Sequence, residues 1–158
     1  MKSRTATRVT TGQVAKLEDS LLAFQQLTAS RQVHQRLIES TGVDVTAQET
    51  RVILALLDGP VSPSDIARRL RMDPGAVSRQ ISSLEETGFV TRTIDPDDTR
   101  RSTVALTRRG RQAAETVARQ RRRHLVESLA EWSPDAVTNL ADLLQRLVDD
   151  MQATPYSR

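Results

Sequence analysis

One arginine and several small hydroxyl side chains lie close together between Gly75 and Ser83, in the sequence GAVSRQISS. A guanidinium group can donate two parallel hydrogen bonds to O6 and N7 of guanine, and such a contact discriminates against a wrong base by about 1–3 kcal/mol. Arg79 is the long cation of this segment, while Ser78, Ser82 and Ser83 can reach phosphates or less selective base groups. These residue types favour recognition of duplex DNA, provided that a helix presents them outward.

The apolar spacing of the same segment predicts that helix. Apolar residues recur at i, i+4 and i+7 on one face, namely Val77, Ile81 and Leu84. At 100° per residue the opposite face carries Gly75, Arg79, Ser82 and Glu86. Asp73 and Pro74 are typical of an N-cap and a first helical position, and the helix N-terminus at Pro74 and Gly75 can lie against a phosphate. A plain solvated surface is an equally good interpretation of this helix alone.

Elements on both sides of this helix complete a recognisable outline. Ser62 and Pro63 predict the start of a short preceding helix, which reaches about Arg71 and can pack on the first through Ile66, Ala67 and Leu70. After Gly88, the alternating segments 89–94 and 103–106 predict a β-hairpin, and the polar sequence DPDDTRR (95–101) forms its long loop. Two short helices followed by a hairpin indicate a winged helix-turn-helix.

Longer helices flank this outline. Apolar spacing predicts one long helix from about Val14 to Ile38, ended by Gly42, and the capping box of Thr46 and Glu49 begins the next helix. Thr107 is placed to cap a long helix that ends near Trp132. Ser133 and Pro134 then start a last helix with a narrow apolar seam formed by Val137, Leu140, Leu144, Leu147 and Met151.

Composition argues against several classes of protein. The 158 residues contain no cysteine and two histidines, His34 and His124, neither of which has a metal-ligand or nucleophile–base spacing. With no glycine-rich phosphate loop either, we expect no enzyme, no cofactor and no metal site. The longest apolar run, 52–57, is far shorter than the roughly 18 residues of a membrane span. The basic N-terminus has no apolar core of a secretory signal, so we expect a cytoplasmic protein.

Positive charge is concentrated in one segment. Between Thr107 and His124, Glu115 is the sole acid among the arginines Arg108, Arg109, Arg111, Arg119, Arg121, Arg122 and Arg123. Such a cluster can meet phosphate, or it can simply be a solvated helix face. A second hypothesis is therefore a winged-helix module that binds a protein partner through this arginine-rich helix, without sequence-specific DNA binding.

The run from Ser64 to Gly110 resembles the winged helix of MarR-type (multiple antibiotic resistance regulator) transcription factors. Their pattern is a recognition helix, Leu-Glu-x-x-Gly, an arginine in the first wing strand, a wing tip rich in Asp and Arg, and Leu-Thr-x-x-Gly. This sequence supplies the pattern in order and in register, with Leu84-Glu85, Gly88, Arg92, Asp95, Asp98, Arg100, Leu106-Thr107 and Gly110. The flanking helices extend the resemblance over about Val14 to Met151. It implies a mainly α-helical fold with a small β-hairpin wing and long terminal dimerisation helices.

The resemblance also extends the set of candidate DNA contacts. Arg100 at the wing tip can enter a narrow minor groove, and Asp98 can hold its guanidinium by a charge-assisted hydrogen bond. Arg101 is a second candidate for that position, and Arg92 either contacts phosphate or braces the hairpin, of which we favour bracing. Ser64, near the start of the preceding helix, is a further candidate for a DNA contact.

The resemblance further implies a homodimer that binds a pseudo-palindromic operator and acts as a repressor. We expect an N-terminal dimerisation helix at 13–45, the DNA-binding domain at 46–110 and C-terminal dimerisation helices at 111–152. Small aromatic or lipophilic effectors control such proteins from between the dimerisation helices and the DNA-binding lobe. The candidate effector contacts here are Phe24, His34, Arg36 and Trp132.

Overall fold

Seven helices and a two-stranded hairpin make up the part of the chain that the computed structural model describes, residues 9–94 and 102–154. The helices are α1 (Thr11–Ala29), α2 (Arg31–Thr41), α3 (Ala47–Ala55), α4 (Pro63–Leu70), α5 (Pro74–Glu86), α6 (Arg108–Ser128) and α7 (Pro134–Ala153). The strands β1 (Val90–Ile94) and β2 (Ser102–Leu106) pair in antiparallel order between α5 and α6. The expected fold class, mainly α-helical with a small hairpin, is confirmed.

Side-chain caps fix the beginnings of six of the seven described helices, including Thr10 at α1 and Thr107 at α6. Thr46, Ser62, Asp73 and Ser133 each accept the backbone N–H of the residue three positions on, as their sequence contexts predict. Proline follows the cap directly in α4, α5 and α7, where its missing N–H costs no helical hydrogen bond. These short-range signals are the reason that helix starts can be predicted well from this sequence.

The expected single N-terminal helix is wrong, because Ser30 interrupts it. Ser30 has extended backbone angles (φ −62°, ψ 128°), and its N–H donates to Leu27 O to close the last turn of α1. The Ser30 hydroxyl makes no cap hydrogen bond to α2, so the break consists of the extended backbone at this residue. The predicted end at Gly42 is confirmed, with the glycine in the left-handed conformation at φ 65°.

Helix α6 is also shorter than expected. It ends at Ser128, whereas the sequence predicts an end near Trp132. The intervening residues form tight turns, in which the N–H of Trp132 donates to Leu129 O at 2.9 Å. These turns bring the chain to the extended cap residue Ser133 at the start of α7.

One apolar core joins α3, α4, α5 and the hairpin. Val77, Ile81 and Leu84 of α5 are fully buried and belong to one cluster with Ile66 and Ala67 of α4, against which Leu70 packs. The predicted inner face of α5 is therefore confirmed. Helix α3 adds its own fully buried side chains to the cluster, Val52, Ile53 and Leu56.

The hairpin is tied to this core by a third extended segment. Val61 exchanges two backbone hydrogen bonds with Val104 of β2, at 3.0 and 2.9 Å. Val90 of β1 pairs with Leu106 at the base of the hairpin, and both Val90 and Val104 are buried. The base of the wing is thus rigidly attached beside α4 and α5.

The turn between α4 and α5 contains an unusual backbone conformation. Arg71 caps α4 at φ 50° and ψ 48°, in the left-handed region, and its N–H donates to carbonyls in the last turn of α4. A non-glycine residue there is strained by roughly 1–3 kcal/mol. Because Met72 N–H also reaches back to Ala67 O at 3.0 Å, this short connection fixes the path from α4 to Asp73.

The chain divides into two compact units, the first extending to Ala118 and the second beginning at Arg119. The second unit comprises the end of α6 together with α7, and no residue of α7 is buried. Within residues 9–94 and 102–154, no helix combines the length and the apolar character that crossing a membrane requires.

Candidate nucleic-acid interface

Helix α5 has one buried face and one open face. Its inner face is fully buried in the core, whereas Gly75, Ser78, Arg79, Ser82 and Glu86 are exposed to solvent. Among these open-face residues, Arg79 has the one long cationic side chain, and its neighbours are small or lack a side chain. The open face of α5 is therefore narrow and polar, and a major groove admits a helix of this kind.

The N-terminus of α5 lies open at one end of this face. Asp73 accepts the N–H of Ala76 at 2.9 Å, and both Pro74 and Gly75 are exposed. A Cβ atom on Gly75 would lie 3.1 Å from Asp73 Oδ1 and 3.6 Å from Arg79 Nη1. The Arg79 guanidinium therefore lies beside the first turn of α5, at ordinary contact distance from the place a Cβ on Gly75 would take.

Ser83 is placed differently from the other serines of α5. It is half-buried, and its hydroxyl donates to Glu49 Oε1 at 2.6 Å. This differs from the expectation that Ser83 contacts DNA, because the single hydroxyl hydrogen is already donated to the protein interior. No local sequence signal could reveal this bond, because Glu49 is 34 positions away from Ser83. The sequence around Glu49 indicates only its role in the capping box with Thr46.

Glu49 is a buried carboxylate with several partners. It is 8% exposed, and its Oε2 accepts the N–H of Thr46 at 2.7 Å in addition to the bond from Ser83. Burial raises the pKa of Glu49, but the hydrogen bonds from Ser83 and Thr46 outweigh burial and hold the pKa below its ordinary value. The group is therefore a charged link between the start of α3 and the second half of α5.

The start of α4 presents a second group of hydroxyls. Ser64 is exposed, and its hydroxyl lies 3.0 Å from that of Ser62. Ser62 donates to Asp65 at 2.7 Å, and this hydrogen bond, ahead of the nearby Arg68, lowers the pKa of the Asp65 carboxyl. The exposed hydroxyl of Ser64 and the helix start at Pro63 can both face a phosphate.

Arg92 on β1 is the candidate of the wing that lies within the described residues. Its backbone N–H donates to Glu85 Oε1 at 3.3 Å, which joins β1 to the end of α5. The side chain is half-buried, and its Nε has no hydrogen-bond partner within the described part of the chain. The remaining wing candidates, Asp98, Arg100 and Arg101, lie outside the described residues.

The start of α6 packs against residues 87–89, which follow α5 directly. The Thr107 hydroxyl donates to Gly88 O at 2.7 Å and accepts the N–H of Gly110 at 3.0 Å, which confirms Thr107 as the cap of α6. A Cβ on Gly110 would lie 1.8 Å from Phe89 O, which confirms the close approach predicted for this glycine. Arg109 also donates to Thr87 O at 2.8 Å and stacks 4.5 Å above the Phe89 ring.

The candidate effector contacts are spread over different elements. Phe24 on α1 is 65% exposed and Trp132 beyond α6 is 47% exposed, while Arg36 on α2 is exposed and His34 is half-buried. The first unit also contains an open groove of about 280 Å³ between the α2–α3 loop and α6. None of the four candidates lines this groove, whose walls are Thr41, Gly42, Val43, Asp44, Phe89, Arg109, Gln112, Ala113 and Thr116.

Comparison with known proteins identifies the family. The model of the MarR family matches residues 43–101, which include the helix pair and the first strand of the wing. An HTH-type transcriptional regulator of Mycobacterium leprae, ML2140, is 33% identical over 96 residues, covering 59% of this chain and 67% of that protein. The chain belongs to the MarR family. The regulator YdgJ of Bacillus subtilis is 28% identical to this MarR-family chain over 130 residues, which are 82% of it and 79% of YdgJ.

Solved structures agree on the fold of this MarR-family chain. A MarR family protein from Bacillus stearothermophilus superposes with a TM-score of 0.78 at 19% identity, over 92% of this chain and 99% of that one. FabT of Streptococcus pneumoniae, solved in complex with DNA, gives a TM-score of 0.72 at 18% identity, over 89% and 98% of the two chains. The architecture is therefore a winged helix-turn-helix, and the family is one of transcriptional regulators.

Proposed function

We propose that this chain is a homodimeric regulator that binds a pseudo-palindromic operator in double-stranded DNA and represses transcription. The observation that carries the proposal is the division of α5 into a fully buried apolar face and an open face around Arg79. FabT, which shares the fold, was solved in complex with DNA. A helix with this division can enter a major groove without exposing core residues.

Within the proposed interface, the residues have different roles. Arg79 is the base reader, Ser78 and Ser82 make shorter contacts, and Pro74, Gly75 and Ser64 face phosphates. We extend the interface to the wing tip through Arg100, with Asp98 orienting it and Arg101 as its alternative. Arg92 braces the hairpin, an assignment supported by its half-buried side chain and its backbone bond to Glu85.

Homodimerisation is proposed through the segments 13–45 and 111–152, on either side of the DNA-binding domain at 46–110. Large apolar side chains on both α1 and α7 are 39–65% exposed, namely Val14, Leu17, Leu22, Phe24, Leu27, Leu140, Leu143, Leu144, Val148 and Met151. A second copy can cover such faces in an isologous contact and present two recognition helices to half-sites about one helical turn apart. Sedimentation tests this: Leu144→Glu should favour the monomer, whereas the exposed control Gln145→Glu should remain dimeric.

A small aromatic or lipophilic effector is proposed to release the operator, with Phe24, His34, Arg36 and Trp132 as contacts. The exposed aromatic rings of Phe24 and Trp132 support this choice, because such rings can stack on an aromatic ligand. Trp132 is the one tryptophan of the chain, so its fluorescence reports binding directly. Salicylate is a suitable first probe: saturable quenching together with loss of operator affinity is expected, and quenching without that loss contradicts effector control.

The deciding experiment is a measurement of sequence-specific DNA binding. Fragments bound by the protein are selected from the source genome, and the affinity for the selected duplex is measured over a range of salt. For a DNA-binding protein, log K should fall with log[salt] by about 0.9 for every phosphate neutralised. A protein-interaction module would show no preferred duplex.

Arg79→Ala then tests the assignment of the reader. We expect a loss of about 1–3 kcal/mol in operator affinity and a relaxed preference at one base pair. Arg121→Ala removes the same charge from the exposed part of α6 and serves as the matched control, with its base preference unchanged. If Arg79→Ala binds the operator as tightly as the wild type does, Arg79 is not the reader.

A further inference from the structure

The bond between Glu49 and Ser83 joins the start of α3 to the recognition helix α5. Ser83 Oγ lies 2.6 Å from Glu49 Oε1, an ordinary distance for a hydroxyl donating to a carboxylate. The carboxylate is fixed in turn, because its other oxygen accepts the N–H of Thr46 at 2.7 Å. With Glu49 only 8% exposed, little water competes for these bonds.

The position of Ser83 on α5 determines what this bond restrains. Ser83 follows Arg79 by four residues, which places it about one turn along the helix and about 40° around its axis. The apolar contacts of α5 are non-directional, whereas a charge-assisted hydrogen bond is directional and fixes the angle of the helix more closely. A bond at Ser83 therefore limits the rotation of α5 near the residue that would read bases.

Small rotations matter at the distance of a side-chain end. Side chains extend a helix to a radius of about 5–6 Å, so a rotation of about 10° displaces their ends by about 1 Å. The donor–acceptor distances of N–H···O hydrogen bonds span a range of only about 0.5 Å. A bidentate contact from Arg79 to a base would not tolerate that rotation, because both guanidinium donors must stay aligned with O6 and N7 of guanine, whereas the electrostatic attraction to phosphates does not depend on such alignment.

We propose that Glu49 and Ser83 are a positioning pair, which sets the rotation of α5 and thereby the base specificity of Arg79. The inference rests on the proposed DNA-binding function and deepens it. Neither residue needs to contact DNA, since both act through the orientation of α5. Loss of the pair should lower the discrimination between operator and unrelated duplex while leaving non-specific affinity nearly unchanged.

The test is a double-variant cycle with the selected operator and a scrambled duplex of equal length, at one salt concentration. Ser83→Ala should lower the ratio of the two affinities about three- to tenfold, less than the full effect of removing a bidentate contact. Ser83→Thr retains a hydroxyl and should restore most of the ratio. In an Arg79→Ala background, Ser83→Ala should have no further effect on the ratio, because the group being positioned is gone.

Thr50→Val is the matched control for a purely structural effect. Thr50 is buried in α3 next to Glu49, and its hydroxyl donates to Thr46 O at 2.9 Å, so the variant loses a hydrogen bond made within α3 and its N-cap and retains the Ser83 hydroxyl. Its affinity ratio should equal that of the wild type even though the protein is less stable. The positioning role is overturned if Thr50→Val lowers the affinity ratio as much as Ser83→Ala does, or if Ser83→Thr leaves the ratio low. It is also overturned if Ser83→Ala lowers the ratio equally with and without Arg79. Should the wild type fail to discriminate at all, the proposed DNA-binding function itself is refuted.

Discussion

Replacing Gly110 with alanine tests the contact that joins α6 to the end of α5. The added Cβ would lie 1.8 Å from Phe89 O, whereas real Cβ contacts are essentially never below 3.0 Å, so the carbonyl would have to retreat by roughly 1 Å. Phe89 O also accepts the N–H of Thr107 at 3.0 Å, and this bond would be lost or weakened by the retreat. Because the clash is with the backbone, no rotation of a side chain can relieve it.

The magnitude follows from three contributions. Overpacking typically costs about 1–3 kcal/mol, and loss of one hydrogen bond adds about 0.5–1.5 kcal/mol. Alanine regains up to about 1 kcal/mol of helix propensity over glycine. We therefore expect Gly110→Ala to lower the free energy of unfolding by about 0.5–3.5 kcal/mol, and the middle of this range corresponds to a fall in Tm of roughly 4–8 °C.

Urea unfolding followed by circular dichroism, at one fixed protein concentration, measures this change. Gly12→Ala is the matched control, because Gly12 is also helical but has no atom within 4 Å of the added Cβ. The control should match the wild type within about 0.5 kcal/mol or gain slightly. If Gly110→Ala is as stable as Gly12→Ala, the close approach of Gly110 to Phe89 does not constrain the chain.

Three further predictions concern the same region and the buried carboxylate. Thr107→Ala should lower the free energy of unfolding by about 0.5–2 kcal/mol through loss of the cap, and Thr107→Ser should recover most of it in the same urea titration. Arg109→Ala should cost about 1 kcal/mol, because the stacking on Phe89 and a backbone bond are lost, and Arg109→Lys should recover only part of it. Since the pKa of Glu49 is lower in the folded chain than its usual 4.5, its ionisation stabilises the fold above that pH. Wild type should therefore lose stability on acidification below pH 4.5 more steeply than Ser83→Ala, and parallel pH curves would contradict this.

The helix starts of this protein could be predicted because their signals are local. The caps at Ser62 and Asp73 are each followed by proline, and both the residue type and the hydrogen bond lie within three positions. The break at Ser30 could not be predicted in the same way. Ser30 makes no side-chain cap bond, and apolar spacing continues on both sides of it, so the pattern is that of one continuous helix.

Apolar periodicity predicts which residues of the candidate interface lie on the open face of α5, but no more than that. The spacing of Val77, Ile81 and Leu84 indicates which side of α5 faces the core, and this also places Arg79 on the open side. Ser83 lies at the boundary between these faces, where periodicity does not decide. Its inward direction depends on Glu49, a residue brought close by the packing of α3 against α5, and a single sequence carries no sign of that pairing.

The left-handed backbone conformation of Arg71, between α4 and α5, affects which residue is most stable at this position. Glycine would relieve the local strain there, but it would also give the unfolded chain more freedom, and that second effect is worth about 0.4–1 kcal/mol. The strain of roughly 1–3 kcal/mol exceeds that entropic effect, so stability alone would favour glycine over the arginine. The chain therefore keeps a positive charge within three residues of α5 at a net cost in stability.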